Sequence, residues 1–322
     1  MADPNPHIPT IVLPYGEAAI AAAAKVVAVG GSVAIPTETV YGLAADARDS
    51  RAVAGIYAAK GRPSFNPLII HVLDRAAAER LAVFDADALQ LAAAFWPGPL
   101  TLVLPVRTDS GMASLVTAGL DTIAIRVPAH RAMRALLDAT GVPLAAPSAN
   151  ASNAISPTRA AHVVATLDGR IPLVIDDGAT EAGLESTIVA TAGGAGGGAC
   201  ILREGPITAE ALSKVLSRPF VARAARGAIT APGQLASHYA PKKPLRLNAT
   251  DRQPGEWLIG FGAVAGDDTL SEAGDLTEAA ASLFDALHRA DASDRETIAI
   301  AAIPSVGIGA AINDRIARAA HR

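Results

Sequence analysis

Short apolar runs alternate with Ala-rich stretches of helical length through most of residues 16–206, and Gly or Pro stands at many of the junctions. Such alternation restricts the chain to a sheet covered by helices. A helix expected over residues 16–29 ends at Gly30-Gly31 and hands over to a strand at 32–35, which Pro36 ends by removing a ladder donor. Further helices are expected over 51–59, 86–95 and 131–140, with strands over 68–72, 100–106, 122–126, 144–146, 186–190 and 200–202. The fold class is therefore α/β, a twisted mixed sheet with packed helices.

At 322 residues the chain is longer than a usual single core, so two domains are expected. Residues 1–217 form the first. Residues 218–247, interrupted by Pro219, Pro232, Gly233, Pro241 and Pro244, read as a linker. Residues 248–322 form a smaller α/β unit, with strands at 256–260 and 297–303 and helices at 276–290 and 310–320. Its Gly260-Phe261-Gly262 follows a strand, but the third glycine of a dinucleotide turn is out of place. The Gly/Ala run at 192–199 lacks the Lys and Ser/Thr of a phosphate loop and reads as a hairpin connection.

With 51% hydrophobic and 18% charged residues the composition is that of a globular chain. No apolar run reaches 18 residues and no leader-like N-terminus is visible, so a cytoplasmic protein without membrane partners is expected. Cys200 is the only cysteine, which excludes an intrachain disulfide and a cysteine-based zinc cluster. A net charge of −4 argues against strong direct nucleic-acid binding.

The polar residues gather at the ends of the expected strands. Pro36-Thr37-Glu38-Thr39 follows one strand, and Lys60, Arg62 and Asn66 lie on a loop stiffened by Pro63 and Pro67. In open α/β sheets that edge is where ligands bind, so the group reads as a site for a small anion. A solvated helix end is the plainer reading of Lys60 and Arg62. Ala146, Ser148 and Asn150, followed by Ser156, form a second knot that is also compatible with a mere turn. Arg126 lies in an apolar run and needs a partner or a ligand, whereas His71, alone on its strand, reads equally as a core residue. Thr122, Ser186 and Arg203 occupy further strand ends. No nucleophile motif or metal-ligand cluster appears, which fits electrostatic stabilisation of a phosphoryl displacement.

Seven motifs occur in order: P-T-E-T-V-Y-G-L, K-G-R-P-x-x-x-P-L, W-P-G-P-L-T, L-D-T-x-A-x-R-x-P, A-P-S-A-N with S-P-T, G-x-E-S-T and L-R-x-G-P. Together they resemble the YrdC-like threonylcarbamoyl-AMP synthases over roughly residues 15–215. His238-Tyr239-Ala240-Pro241 and the C-terminal stretch through Asn313-Asp314-Arg315 resemble the two-domain form of that family, whose smaller domain is Rossmann-like. The resemblance implies synthesis of L-threonylcarbamoyladenylate from L-threonine, bicarbonate and ATP. The product would pass to a tRNA threonylcarbamoyl transferase complex. By motif, Thr39, His71, Arg126, the Ala146 backbone and Ser186 would hold threonine. Arg62, Asn66, Thr122, Ser148, Asn150, Ser156, Arg203 and Tyr239 would hold ATP, with Lys60 and Arg62 acting on the reacting phosphates. Mg²⁺ is implied by ATP, and the linker would act as a lid. Gln234, Leu235, Ala236 and Ser237 stand where the family carries basic and aromatic residues, which removes a basic contribution from that lid.

Two other activities are compatible with parts of this pattern. A carbamoyltransferase of the YrdC-like type would add zinc-binding cysteines, and an RNA-binding module would carry a basic, aromatic-rich face.

Overall fold

A computed structural model describes residues 9–63, 66–191, 198–222 and 238–321. An 11-stranded sheet forms the body of the larger unit. In spatial order its strands are Ile11–Pro14, Leu173–Asp176, Val33–Pro36, Tyr41–Asp46, Leu144–Ala145, Ile69–His71, Thr122–Arg126, Leu100–Pro105, Thr187–Ala190, Cys200–Arg203 and Val221–Ala222. Parallel and antiparallel neighbours alternate irregularly, so the sheet is mixed as expected. One large apolar cluster, including Leu43, Ile56, Leu91, Leu102 and Ile125, packs helices Ser50–Lys60 and Ala86–Phe95 against it. A second cluster packs Glu17–Ala28 and Arg131–Thr140 against Val33, Ile35, Leu144 and Leu173.

Several elements keep the expected bounds, notably Ala86–Phe95, Thr122–Arg126, Arg131–Thr140 and Glu256–Gly260. The strand Tyr41–Asp46 goes beyond the expectation, because Tyr-Gly-Leu-Ala-Ala-Asp has no β-branched residue. It becomes a strand because partners flank it on both sides, at Val33–Pro36 and Leu144–Ala145. Ile11–Pro14, Leu173–Asp176 and helices Ala160–Leu167 and Ala209–Leu216 are likewise additional.

The smaller unit holds a 4-stranded sheet, ordered Leu245–Ala249, Thr297–Ala301, Glu256–Gly260 and Asp268–Thr269, parallel throughout. Helices Leu276–Ala292 and Gly309–Ala320 contribute to its core. Leu245 already begins a strand, so the end of the expected linker belongs to this sheet. Pro232, Gly233 and the atypical positions 234–237 lie outside the described residues, as does most of the Gly/Ala run. The run's flanking strands, Thr187–Ala190 and Cys200–Arg203, are antiparallel neighbours, the arrangement of a hairpin. No described helix is long and apolar enough to cross a membrane.

Candidate active site

Strand ends converge on one cleft with a largely polar wall. Thr37, Thr39 and Val40 follow Val33–Pro36, while His71 and Arg126 are the last residues of neighbouring parallel strands and stand in register. Ala146, Pro147 and Ser148 follow Leu144–Ala145. Glu185 and Ser186 precede Thr187–Ala190, and Arg203 ends its strand. Arg62, His238 and Tyr239 complete the polar wall.

On one side the charges balance. Arg126 Nη2 lies 2.7 Å from Glu38 Oε1, a close ion pair whose angle is poor for a hydrogen bond. Arg126 Nη1 donates to Thr39 Oγ1 at 2.9 Å, and Nε donates to the Gly98 carbonyl at 3.3 Å. The Trp-Pro-Gly-Pro turn delivers that carbonyl, and a Cβ on Gly98 would fall 2.4 Å from the Phe95 carbonyl oxygen. Burial opposes ionisation of Glu38, yet Arg126 and nearby donors hold its pKa below the ordinary value. His71 is buried beside this pair with neither ring nitrogen hydrogen-bonded. Burial, reinforced by Arg126, lowers its pKa to about 3, so the imidazole is neutral at physiological pH.

The opposite side carries cations without carboxylate partners. Helix Ser50–Lys60 is capped by the Asp49 side chain and ends at Gly61, whose left-handed φ of 59° turns Arg62 toward the cleft. Arg62 Nη2 donates to the Pro67 carbonyl at 3.1 Å, and burial lowers its pKa only to about 10. Arg203 donates from Nε and Nη2 to the Ser186 carbonyl at 3.1 and 2.9 Å, and from Nη2 to Ser186 Oγ at 3.1 Å. Thr101 Oγ1 lies 2.8 Å from the same hydroxyl. Among the described residues neither Arg62 nor Arg203 has a carboxylate at ion-pair distance. Tyr239, with φ 64°, is fully buried and its hydroxyl lacks a partner, as does His238 Nδ1. Polar atoms buried without partners on a cleft wall mark places for ligand atoms.

Thr39, Arg62, His71, Arg126, Ala146, Ser148, Ser186, Arg203 and Tyr239 thus meet on one cleft. The Ala146 N–H is engaged by the Ile69 carbonyl, which leaves its own carbonyl for a ligand. The other expected site residues stand off the wall. Lys60 is buried and donates to the Ser148 and Asn150 carbonyls, each at 2.5 Å, so it clamps the Ser148 loop from behind. Burial, with Arg62 nearby, pushes its pKa well below the lysine value. Asn150 Nδ2 bonds the Ala151 and Ala154 carbonyls, while Asn66 keeps a buried, unpartnered Oδ1. Ser156 Oγ is hydrogen-bonded to Glu185, and Thr122 is half-buried where its strand begins.

Sequence reading assigned no role to Glu38, Glu185, His238 or Arg315. Glu38 and Glu185 were visible as acids inside the motifs, and Arg315 ended the C-terminal one. Nothing in the chain showed which charges they would meet.

The chain matches the family model described as "Telomere recombination" (Sua5/YciO/YrdC) over residues 25–205. A second model, "Threonylcarbamoyl-AMP synthase, C-terminal domain", matches residues 207–321. The threonylcarbamoyl-AMP synthase of Bacillus subtilis is 39% identical, the match covering 94% of this chain and 92% of that protein. Its counterpart in Pyrococcus abyssi is 37% identical over 90% of each. The crystal structure of P. abyssi Sua5 complexed with L-threonine superposes with a TM-score of 0.88 at 35% identity, covering 97% of this chain and 98% of that one. The chain belongs to the Sua5/YciO/YrdC family of threonylcarbamoyl-AMP synthases and carries the C-terminal domain that goes with it.

Proposed function

We propose that this chain is a nucleotidyltransferase that condenses L-threonine, bicarbonate and ATP into L-threonylcarbamoyladenylate, releasing pyrophosphate and water. The observation that carries this reading is the two-sided cleft. Arg62 and Arg203 leave positive charge unbalanced by carboxylates, which suits a triphosphate. Arg126 with Glu38 is electrically neutral as a pair, which suits an amino acid carrying both signs. The relatives named above, one of them complexed with L-threonine, support the same assignment.

In this mechanism the free amine of threonine takes up bicarbonate as a carbamate, with loss of water. A carbamate oxygen then attacks the α-phosphorus, and the bond to pyrophosphate breaks. Arg126 and Thr39 orient the amino acid, with neutral His71 beside them. Arg62 and Arg203 stabilise negative charge that moves onto the departing phosphates, Ser148 adds a neutral donor there, and Ser186 adds one toward threonine. Tyr239 closes the nucleotide side.

Mg²⁺ would accompany ATP and neutralise phosphate charge. The described residues contain no cluster of three or more His, Cys, Asp or Glu suited to a metal, and Arg partners engage both Glu38 and Glu185. The ion is therefore expected on phosphate oxygens, and no protein ligand to it is assigned. A cytoplasmic setting and transfer of the adenylate to a tRNA-modifying enzyme complete the reading. The test is pyrophosphate release with threonine and bicarbonate omitted in turn. Release must depend on each, and release indifferent to threonine would overturn the proposal.

A further inference from the structure

Arg315 lies on helix Gly309–Ala320 of the smaller unit, yet its side chain is 0% exposed and reaches the larger one. Nε donates to Glu185 Oε2 at 2.8 Å, and Nη2 donates to the Glu204 carbonyl at 2.8 Å. Nη1 bonds its neighbour Asp314 at 2.7 Å. The guanidinium also stands over the Tyr239 ring, 5.2 Å from its centre. Glu185 Oε1 accepts from the Ser156 hydroxyl, so both oxygens of that carboxylate are engaged.

Arg315 is not on the cleft wall, but it contacts Glu185 and Tyr239, which are. Burial disfavours an ionised Glu185, and Arg315 with Arg203 and Ser156 overcomes this, so the carboxylate stays charged. A bare carboxylate there would repel a polyanionic ligand. We infer that Arg315 is a positioning residue through which the C-terminal domain equips the nucleotide side: it neutralises Glu185, so that no bare carboxylate faces the ligand. This inference rests on the nucleotide assignment made above. Repulsion grows with the charge of the ligand, so ATP is affected far more than zwitterionic threonine.

The experiment compares the full-length wild type with Arg315→Lys, Arg315→Met and the double variant Arg315→Met/Glu185→Gln. KM and kcat for ATP and threonine are read from pyrophosphate release, and ATP binding separately from calorimetry. Arg315→Met should raise the KM and Kd for ATP at least about tenfold, with a smaller change for threonine. Arg315→Lys retains the charge, and the double variant removes the orphaned carboxylate. Each should come within about threefold of wild type for ATP. The double variant orphans no carboxylate, since Asp314 keeps Arg318, so it serves as the readout if Arg315→Met does not fold. Unchanged ATP binding in Arg315→Met, or a double variant that folds but binds ATP at least about tenfold more weakly than wild type, would overturn the inference. Calorimetry keeps this outcome separate from failure of the synthase reading, which would appear as threonine-independent turnover of the wild type.

Discussion

Two sides of one cleft differ in how their arginines are balanced. Arg126 meets a glutamate at 2.7 Å, whereas Arg62 and Arg203 meet only neutral oxygens among the described residues. Arg126 and Arg203 are both buried, so the difference between them is not one of exposure. Opposite charge close by cancels most of the field a ligand would feel, while carbonyl partners orient a guanidinium and leave its charge available. Fold position therefore matters less than local partners. The same sheet edge offers a neutral pair to one substrate and net positive charge to the other.

The sharpest way to break this contrast is to remove a cation from the unbalanced side. Arg203→Ala should lower kcat/KM for ATP by about 10²–10³-fold, or roughly 2.7–4 kcal/mol, because it removes preorganised charge stabilisation. Pyrophosphate-release kinetics check this, and a loss seen mainly in threonine KM would reverse the assignment of sides. Arg126→Ala should raise threonine KM by about 10–100-fold, in keeping with roughly 1.5–3 kcal/mol for a hydrogen bond to a charged group. Equal changes for ATP and threonine would erase the distinction.

The smallest effect concerns protons. His71 on the balanced side and His238 on the other both have pKa values lowered to about 3, with burial the main cause. The unfolded chain takes up these protons near pH 6.5, so stability is full above that value and falls as pH drops toward 3. Each histidine contributes up to about 1.4 kcal/mol per pH unit within that window. Urea midpoints between pH 5 and 7.5 should fall with acid in the wild type, and less steeply in His71→Gln and His238→Gln. Identical slopes would show that these histidines do not titrate on unfolding.

Much of the scaffold was legible because its signals are local. Ala-rich segments marked the helices, and Gly30-Gly31 marked the end of the first one. Short apolar runs marked Thr122–Arg126 and Glu256–Gly260. Tyr41–Asp46 escaped because small residues become a strand only when neighbours supply the ladder.

The candidate site divides along the same line. Ordered motifs were enough to name Thr39, Arg62, His71, Arg126, Ser148, Ser186, Arg203 and Tyr239, since each motif is a contiguous string at a strand end. They could not show that Lys60 clamps the Ser148 loop from behind, because its two acceptors are 88 and 90 residues away. Nor could they pair Glu38 with Arg126 or Glu185 with Arg315, across 88 and 130 positions. The chain alone thus settled which chemical groups are present, which elements carry them and which family they belong to. Folding settled which charges are cancelled and which remain for a ligand, because Coulomb interactions depend on distance and burial in space, and neither is written along the chain.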